Sequence, residues 1–345
     1  MEPSFVVSGS SDRTIRIWSE SEKLLSFEGV GNLRLFVEVF KFLSYKEVVR
    51  IARVNKQFYE ASFHSEVRKP VFRETKVLEG HTCSVMSLAV SKAQKVLVSS
   101  SADFTIRVWS LVTGEETQVL KGHSGPVLSV AVSSDAEFVV SGSEDRTLRM
   151  WSLTSGQTSR FFERHSAPVH SLAISSNEKY FVSGSDDGTL RLWSLVTGGL
   201  LRVLEGHFCS VKSVVISKSG LYIVSGSEDC TVRVWSLATG EQVKVIREHG
   251  WFVNSVSISS DDQFLVSVTR DPVIRVWSLT SGEITQVLEG HKGVVFSVSF
   301  SSDGKYLVSG GNFRDCSVRV WDLATGQQIQ ELKGHTSHVR SVSLV

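Results

Sequence analysis

Apolar and polar positions alternate in short bursts along most of the chain. VLSVAV (127–132), FVVSGSED (138–145), TLRMWSL (147–153) and TQVLKGH (117–123) typify the pieces. They are rich in β-branched and aromatic residues, and Gly, Ser and Asp clusters punctuate them at strand spacing. The valines of VxSVxV also fit a helical turn, yet a turn signal interrupts each piece before the ~10 residues an ordinary helix needs. The pattern predicts short strands, four to a group.

The groups repeat. Trp109, Trp151, Trp193, Trp235 and Trp277 are each 42 residues apart, Trp321 follows 44 later, and Trp18 precedes Trp109 by 91. Histidine keeps the same beat from His81 and His123 to His335, and an aspartate stands six residues before every one of these tryptophans. Seven units result. Four strands in about 42 residues, repeated, predict an all-β toroid of small sheets, with 1–29 and 74–345 forming the ring and 30–73 inserted in it.

Aligned on its neighbour, the last unit stops where the first begins. The N-terminal residues are therefore expected to supply the second and third strands of one sheet and Val339–Leu344 its innermost strand, beside the strand containing Phe5–Ser8. Such a clasp removes the free edge of an open ring. Two segments compete for the outer strand, Lys23–Gly29 and Glu74–His81; the second keeps the spacing to His81.

The order GH, SGSxD, TxRxW at this period resembles the WD-repeat family, which implies a seven-bladed β-propeller. Only Trp321-Asp322 keeps the W-D pair; the other six units read W-S, as at Trp109-Ser110. Ser, His and Asp recur together, as in the sets His81, Ser99, Asp103, Trp109 and His123, Ser141, Asp145, Trp151, and across the termini His335, Ser8, Asp12, Trp18. A catalytic triad is normally unique, whereas this set recurs in every unit. It reads as a buried hydrogen-bonded tetrad, which the resemblance also implies. The same argument covers the arginine two before each tryptophan (Arg16, Arg107, Arg149, Arg191, Arg233, Arg275, Arg319), expected in a repeated salt bridge or stack.

Composition narrows the function. A net charge of +1 gives no electrostatic case for nucleic acid or a membrane surface. Four cysteines without CxxC spacing favour reduced thiols, hence cytosol or nucleus, and seven histidines on seven units cannot converge on one metal ion. No cofactor and no enzymatic activity are expected.

Between Trp18 and His81 lie 49 extra residues, and Leu33–Arg73 carries nine Lys/Arg against four Glu. Ser44-Tyr-Lys-Glu47 is a capping box, followed at helical spacing by Val48, Ile51, Ala52 and Asn55. A small helical module is expected, lying outside the torus. It resembles an F-box, the segment that docks a substrate receptor onto the adaptor of a cullin-type ubiquitin ligase. The resemblance implies adaptor contacts from Leu35, Glu38, Val39, Phe42, Leu43, Val48 and Val49. Leu35-Phe36 stands where that family has Leu-Pro.

In WD-repeat substrate receptors, ligand-contacting residues commonly occupy two positions on the narrow face: after the first Val of the inner strand, and before the Asp. The resemblance then implies a site from Met86, Lys212, Phe296 and Arg340 at the first position, and Glu144, Asp186, Glu228, Arg270 and Arg314 at the second. Arg270, Arg314 and Arg340 come from consecutive units, and the three acids from consecutive units opposite. Trp251 and Phe252, in HGWFV, fall on the same face. The expected function is binding of proteins or peptides, including phosphorylated ones, as the substrate-recognition subunit of a ubiquitin ligase; the alternative is a general scaffold with no ubiquitin role.

Overall fold

The computed structural model describes residues 5–21, 71–247 and 249–344. Among these, every regular element is a strand, and the strands form seven four-stranded sheets, six of them with neighbours paired in chain order. Blades 2 to 7 begin with the inner strands Val85–Ser91, Val127–Val132, Val169–Ile174, Val211–Ile216, Val253–Ile258 and Val295–Phe300.

Blade 1 is the clasp. Its order is Val339–Leu344, Phe5–Ser10, Ile15–Ser21, Val71–Leu78. Val6 faces Leu344 and Ser8 faces Val342, as the alignment of the two ends predicts. The outer strand comes from the later segment and begins at Val71, so 71–73 belong to the sheet rather than to the insertion. Phe72 is buried against blade 7, and the Gln330 side-chain amide donates to its carbonyl and accepts from its N–H, at 2.6 and 2.7 Å. Ser21 and Val71 are paired, so the inserted segment leaves and returns at one hairpin end, opposite the Asp12 turn.

No blade has a core of its own. Each of seven apolar clusters lies between adjacent blades: Trp321 packs with Val266, Val276 and Leu288 of blade 6, and Trp18 with Val308, Val320 and Leu332 of blade 7. Burial thus requires the neighbour, as in any repeat ring. Close approach dictates the SGS glycine: a Cβ on Gly226 would lie 2.5 Å from a methyl of Val253.

The serine of VxSVxV closes a second ring. Ser171 Oγ accepts from Val214 N–H of the next blade at 2.9 Å. The same bond runs from every blade to the next, from Ser87 with Val130 round to Ser341 with Leu88. These N–H groups lie on the innermost strands, which have no further strand to pair with; the hydroxyls satisfy them. The residue after the tryptophan is also explained. Ser110 Oγ accepts from Thr113 N–H at 3.2 Å, as Asp322 Oδ1 accepts from Ala324 at 2.9 Å, so either side chain caps the following turn.

Candidate functional site

The first site position is a β-bulge in all seven blades. Val85 pairs with Ser101 and Ser87 with Ser100, which leaves Met86 as the extra residue. Leu128, His170, Lys212, Asn254, Phe296 and Arg340 are displaced in the same way. A bulge re-aims its side chain and bends the strand end. This gives the register a physical basis: one side chain per blade breaks the alternation beside the histidine loop.

Beneath that face, the repeated Ser–His–Asp set is a scaffold. In blade 2 the Trp109 indole donates to Ser99 Oγ at 2.8 Å, Ser99 contacts His81 Nε2 at 2.8 Å, and His81 Nδ1 meets Asp103 at 2.8 Å. Blade 3 repeats it through Trp151, Ser141, His123 and Asp145 with three contacts of 2.8 Å. The clasped blade joins Ser8, His335 and Asp12 at 2.7 and 2.9 Å, with Trp18 edge-on to the imidazole. Asp103 also accepts from Thr82 N–H, Thr105 N–H and the Thr105 hydroxyl. Burial would raise this carboxyl, but hydrogen bonds from His81 and Thr105 outweigh it and hold it well below the usual range. The histidine is packed beneath the surface with no open side for a substrate. The arginines before the tryptophans are likewise structural but not uniform: Arg16 pairs with Glu74, Arg107 with Glu116, Arg319 with Glu331, and Arg149 lies over Phe161 at 5.0 Å.

Blade 6 departs from the rest. The residue after the tetrad aspartate has positive φ elsewhere, as at Phe104 (69°), Arg146 (68°) and Cys230 (64°). Blade 6 has Pro272 there, whose ring fixes φ near −65°. Val273 replaces the threonine or serine whose hydroxyl holds the carboxylate. Ile284 faces Trp277 where Glu116 and Gln242 face their tryptophans, so Arg275 lacks an outer-strand acceptor. Asp271 turns instead to Arg275, at 2.6 and 3.2 Å. His249 keeps Ser267 at 2.7 Å, but its Nδ1 is buried with no partner among the described residues. Burial, then the Arg275 charge, push its pKa down to about 4. The sequence signal is the stretch DPV in place of DxT.

The basic side of the face is built as three arginine–aromatic stacks. Arg270 lies 4.6 Å from the Phe252 ring centre, Arg340 5.0 Å from Phe296 across the blade boundary, and Arg314 5.7 Å from Phe313. Arg340 is half-buried, donates to Ser11 Oγ at 3.1 Å, and has its pKa lowered by burial. Trp251 is 58% exposed at the edge of this group. One position differs from the alignment. Asn312 N–H bonds Val294 carbonyl as Ala102 bonds Ser84, so Asn312 holds the second register position in blade 7. Phe313 and Arg314 are the two-residue insertion that stretches this unit to 44, and both are exposed. Sequence reasoning missed Phe313 and His338. His338 stands between Phe296 and Phe313 at 5.3 Å from each, and joins the Arg314 and Arg340 stacks.

The opposite arc is not an open acidic surface. Lys212 lies 3.1 Å from Asp186, 3.4 Å from Glu228 and 3.0 Å from His170, and His170 lies 2.8 Å from Asp186. Lys212 thus belongs to the acidic side, where it offsets much of the charge that Asp186 and Glu228 carry. Glu144 is exposed. The residues expected to bind an adaptor, from Leu35 to Val49, lie outside the described residues. Among the described residues no cluster of His, Cys, Asp or Glu is arranged to hold a metal ion.

Comparison with known proteins agrees with the architecture. A stretch of 114 residues is 28% identical to Mitochondrial division protein 1 of Schizosaccharomyces pombe, and covers 33% of this chain and 13% of that protein. A stretch of 113 residues is 32% identical to the Ribosome biogenesis protein ytm1 of Neurospora crassa, and covers 30% of this chain and 23% of that one. The matches therefore span less than a quarter of either relative. The "WD domain, G-beta repeat" signature matches residues 2–19, 72–110, 114–152, 156–194, 198–236, 240–278 and 282–322. Seven matched repeats, seven four-stranded blades and five tetrads complete from tryptophan to aspartate place this chain in the WD-repeat family of β-propellers.

Proposed function

We propose that this propeller binds an anionic, phosphorylated peptide on the face that carries Arg270, Arg314 and Arg340, as the substrate-recognition subunit of a cullin-type ubiquitin ligase. The observation that carries the binding reading is the three guanidinium groups on consecutive blades, each resting on an aromatic ring. Stacking fixes a guanidinium plane and leaves its N–H edge free for bidentate contacts to phosphate oxygens. Exposed Trp251 and Phe313 offer apolar anchors at the rim. Exposed Glu144, with the negative charge that Lys212 leaves uncompensated on Asp186 and Glu228, favours a peptide with a basic flank. The ligase assignment rests on the F-box-like sequence of 30–73; the flanking Ser21 and Val71 are paired at the hairpin end opposite the Asp12 turn. Substrate and adaptor would then engage opposite sides of blade 1.

The second reading, a scaffold with no ubiquitin role, is supported by relatives whose names concern division and ribosome biogenesis. Pull-down of a purified cullin-ligase adaptor by the intact chain, and by a Leu35→Ala/Phe42→Ala variant, separates the two. Capture by the first only supports the ligase; capture by neither leaves the scaffold. For the ligand, a phosphopeptide library is screened against wild type and Arg270→Ala/Arg314→Ala. Loss of two charge-assisted contacts should weaken binding by about ten-fold or more. Equal retention of phosphorylated and plain peptides by the wild type would overturn the assignment.

A further inference from the structure

On the face opposite the arginines, the turns between first and second strands of neighbouring blades are joined by carboxylates. Ser134 of blade 3 donates its N–H and hydroxyl to one oxygen of Glu178 in blade 4, at 2.6 and 2.7 Å. Lys218 and Ser219 of blade 5 donate their N–H groups to the two oxygens of Asp262 in blade 6, both at 3.0 Å. Successive N–H groups in such a turn form a concave anion site. Glu178 and Asp262 both sit at the left-handed position of their turns, with φ of 54° and 57°.

The same position in blades 5 and 7 is glycine. Gly220 and Gly304 have φ of +71°, so the backbone repeats while the carboxylate is missing. The partner turns, Ser176-Asn177 in blade 4 and Ser260-Asp261 in blade 6, therefore receive no carboxylate from the next blade. A Cβ on Gly220 would meet nothing within 4 Å, so the space is open. Ser176 and Ser260 both line a cavity of about 370 Å³, together with Lys218, Ser302 and the apolar Phe300. Lys92 reaches its rim from blade 2 and donates to Ser302 Oγ at 2.8 Å.

Of the two vacancies that face glycine, the Ser176-Asn177 turn is the better anion site. Asp261 is itself acidic, with its carboxylate held by Ser259 Oγ and Gln263 N–H at 2.5 and 3.0 Å. Asn177 is neutral and makes the same local contacts, with Ser175 Oγ and Lys179 N–H at 2.7 and 3.1 Å. The other carboxylates of this rim are engaged: Asp262 by the blade 5 turn and Asp303 by Ser301. The Lys218 ammonium has no acidic partner among the described residues.

We propose that this cavity is a second binding site, which takes an Asp or Glu side chain of an extended partner peptide. The carboxylate would sit on the Ser176 and Asn177 N–H groups with Lys218 beside it, as Asp262 sits on the blade 5 turn. The site is separate from the arginine face and does not depend on the phosphopeptide reading.

The test is fluorescence anisotropy with a labelled peptide, Gly-Ser-Glu-Asp-Glu-Ser-Gly, and its Gln-Asn-Gln counterpart. In Gly220→Glu the chain supplies its own carboxylate, so binding of the acidic peptide should fall at least about ten-fold while the protein stays folded, its left-handed φ tolerated as at Glu178. Lys218→Gln should weaken it several-fold without touching the Ser176-Asn177 turn, and Arg270→Ala/Arg314→Ala should leave it unchanged. Unaltered affinity in both Gly220→Glu and Lys218→Gln would overturn the proposal, as would equal binding of the neutral peptide. Inorganic phosphate that displaces the label at concentrations where acetate does nothing would also overturn the carboxylate assignment.

Discussion

Removing the tetrad aspartate should be costly in blade 2 and cheap in blade 6. In blade 2, Asp103→Ala deletes the acceptor for His81 Nδ1, Thr82 N–H, Thr105 N–H and the Thr105 hydroxyl, at 2.8, 3.0, 3.0 and 2.6 Å. It leaves the buried imidazole only the long 3.5 Å contact to the Thr105 hydroxyl, and the loss of four hydrogen bonds to one carboxylate should together cost about 3–5 kcal/mol. In blade 6, Asp271→Ala removes the Arg275 pair, whose side chains are both 19% exposed, and a 3.2 Å bond from Val273 N–H. His249 already lacks the contact, so the cost should be about 1 kcal/mol. The expected gap is about 2–4 kcal/mol, or roughly 4–8 °C at about 2 °C per kcal/mol for a domain of this size. Urea unfolding followed by tryptophan fluorescence, with calorimetric melts, measures both variants, and Asp145→Ala serves as a second intact blade. Equal losses for Asp103→Ala and Asp271→Ala would refute the view that Pro272, Val273 and Ile284 have uncoupled this tetrad.

The remaining predictions concern acid, closure and the serine ring. His249 has its pKa depressed from 6.5 to about 4 in the fold, so the unfolded chain binds more protons between these values. Its contribution is therefore complete above pH 6.5 and is lost as pH falls toward 4, about 3 kcal/mol in all. Pro272→Asn/Val273→Thr should let Asp271 reach His249 and flatten that part of the stability–pH curve; an unchanged slope would count against it. Deleting residues 340–345 removes most of the clasp strand, whose Val342 and Leu344 are buried, and should lower the melting temperature sharply or cause aggregation. A truncated chain with wild-type melting would end that account. Ser171→Ala leaves Val214 N–H without its 2.9 Å acceptor at a blade seam and should cost about 1–2 kcal/mol, read by the same urea titration.

Much of the architecture is written in one dimension because each blade is a local unit. The 42-residue beat of tryptophan, histidine and aspartate specifies seven strand groups, since every blade meets the same pair of neighbours and needs the same side chains. The clasp was legible for the same reason: the two ends are complementary parts of one repeat, and only one sheet accommodates both. The alignment also reached the tetrads and the register of Arg270 and Arg340. It misplaced Arg314, because a two-residue insertion shifts the backbone equivalence to Asn312, and it passed over DPV, whose meaning depends on a left-handed turn that proline cannot enter.

What the tertiary structure decided lies between blades, where no periodicity points. Whether Lys212 is a free cation or a partner of Asp186 and Glu228 depends on side chains 26 and 16 residues away, one on the preceding blade and one across its own blade. Phe296 supports an arginine because the next blade is the clasp. Gly220 looks like any turn glycine in the sequence; beside Glu178 and Asp262 it becomes the absence of a carboxylate. Strands and turns follow from local preference and burial pattern. Charge pairing and vacant donors follow from packing, because their energies depend on which groups the neighbouring blade places within hydrogen-bonding distance.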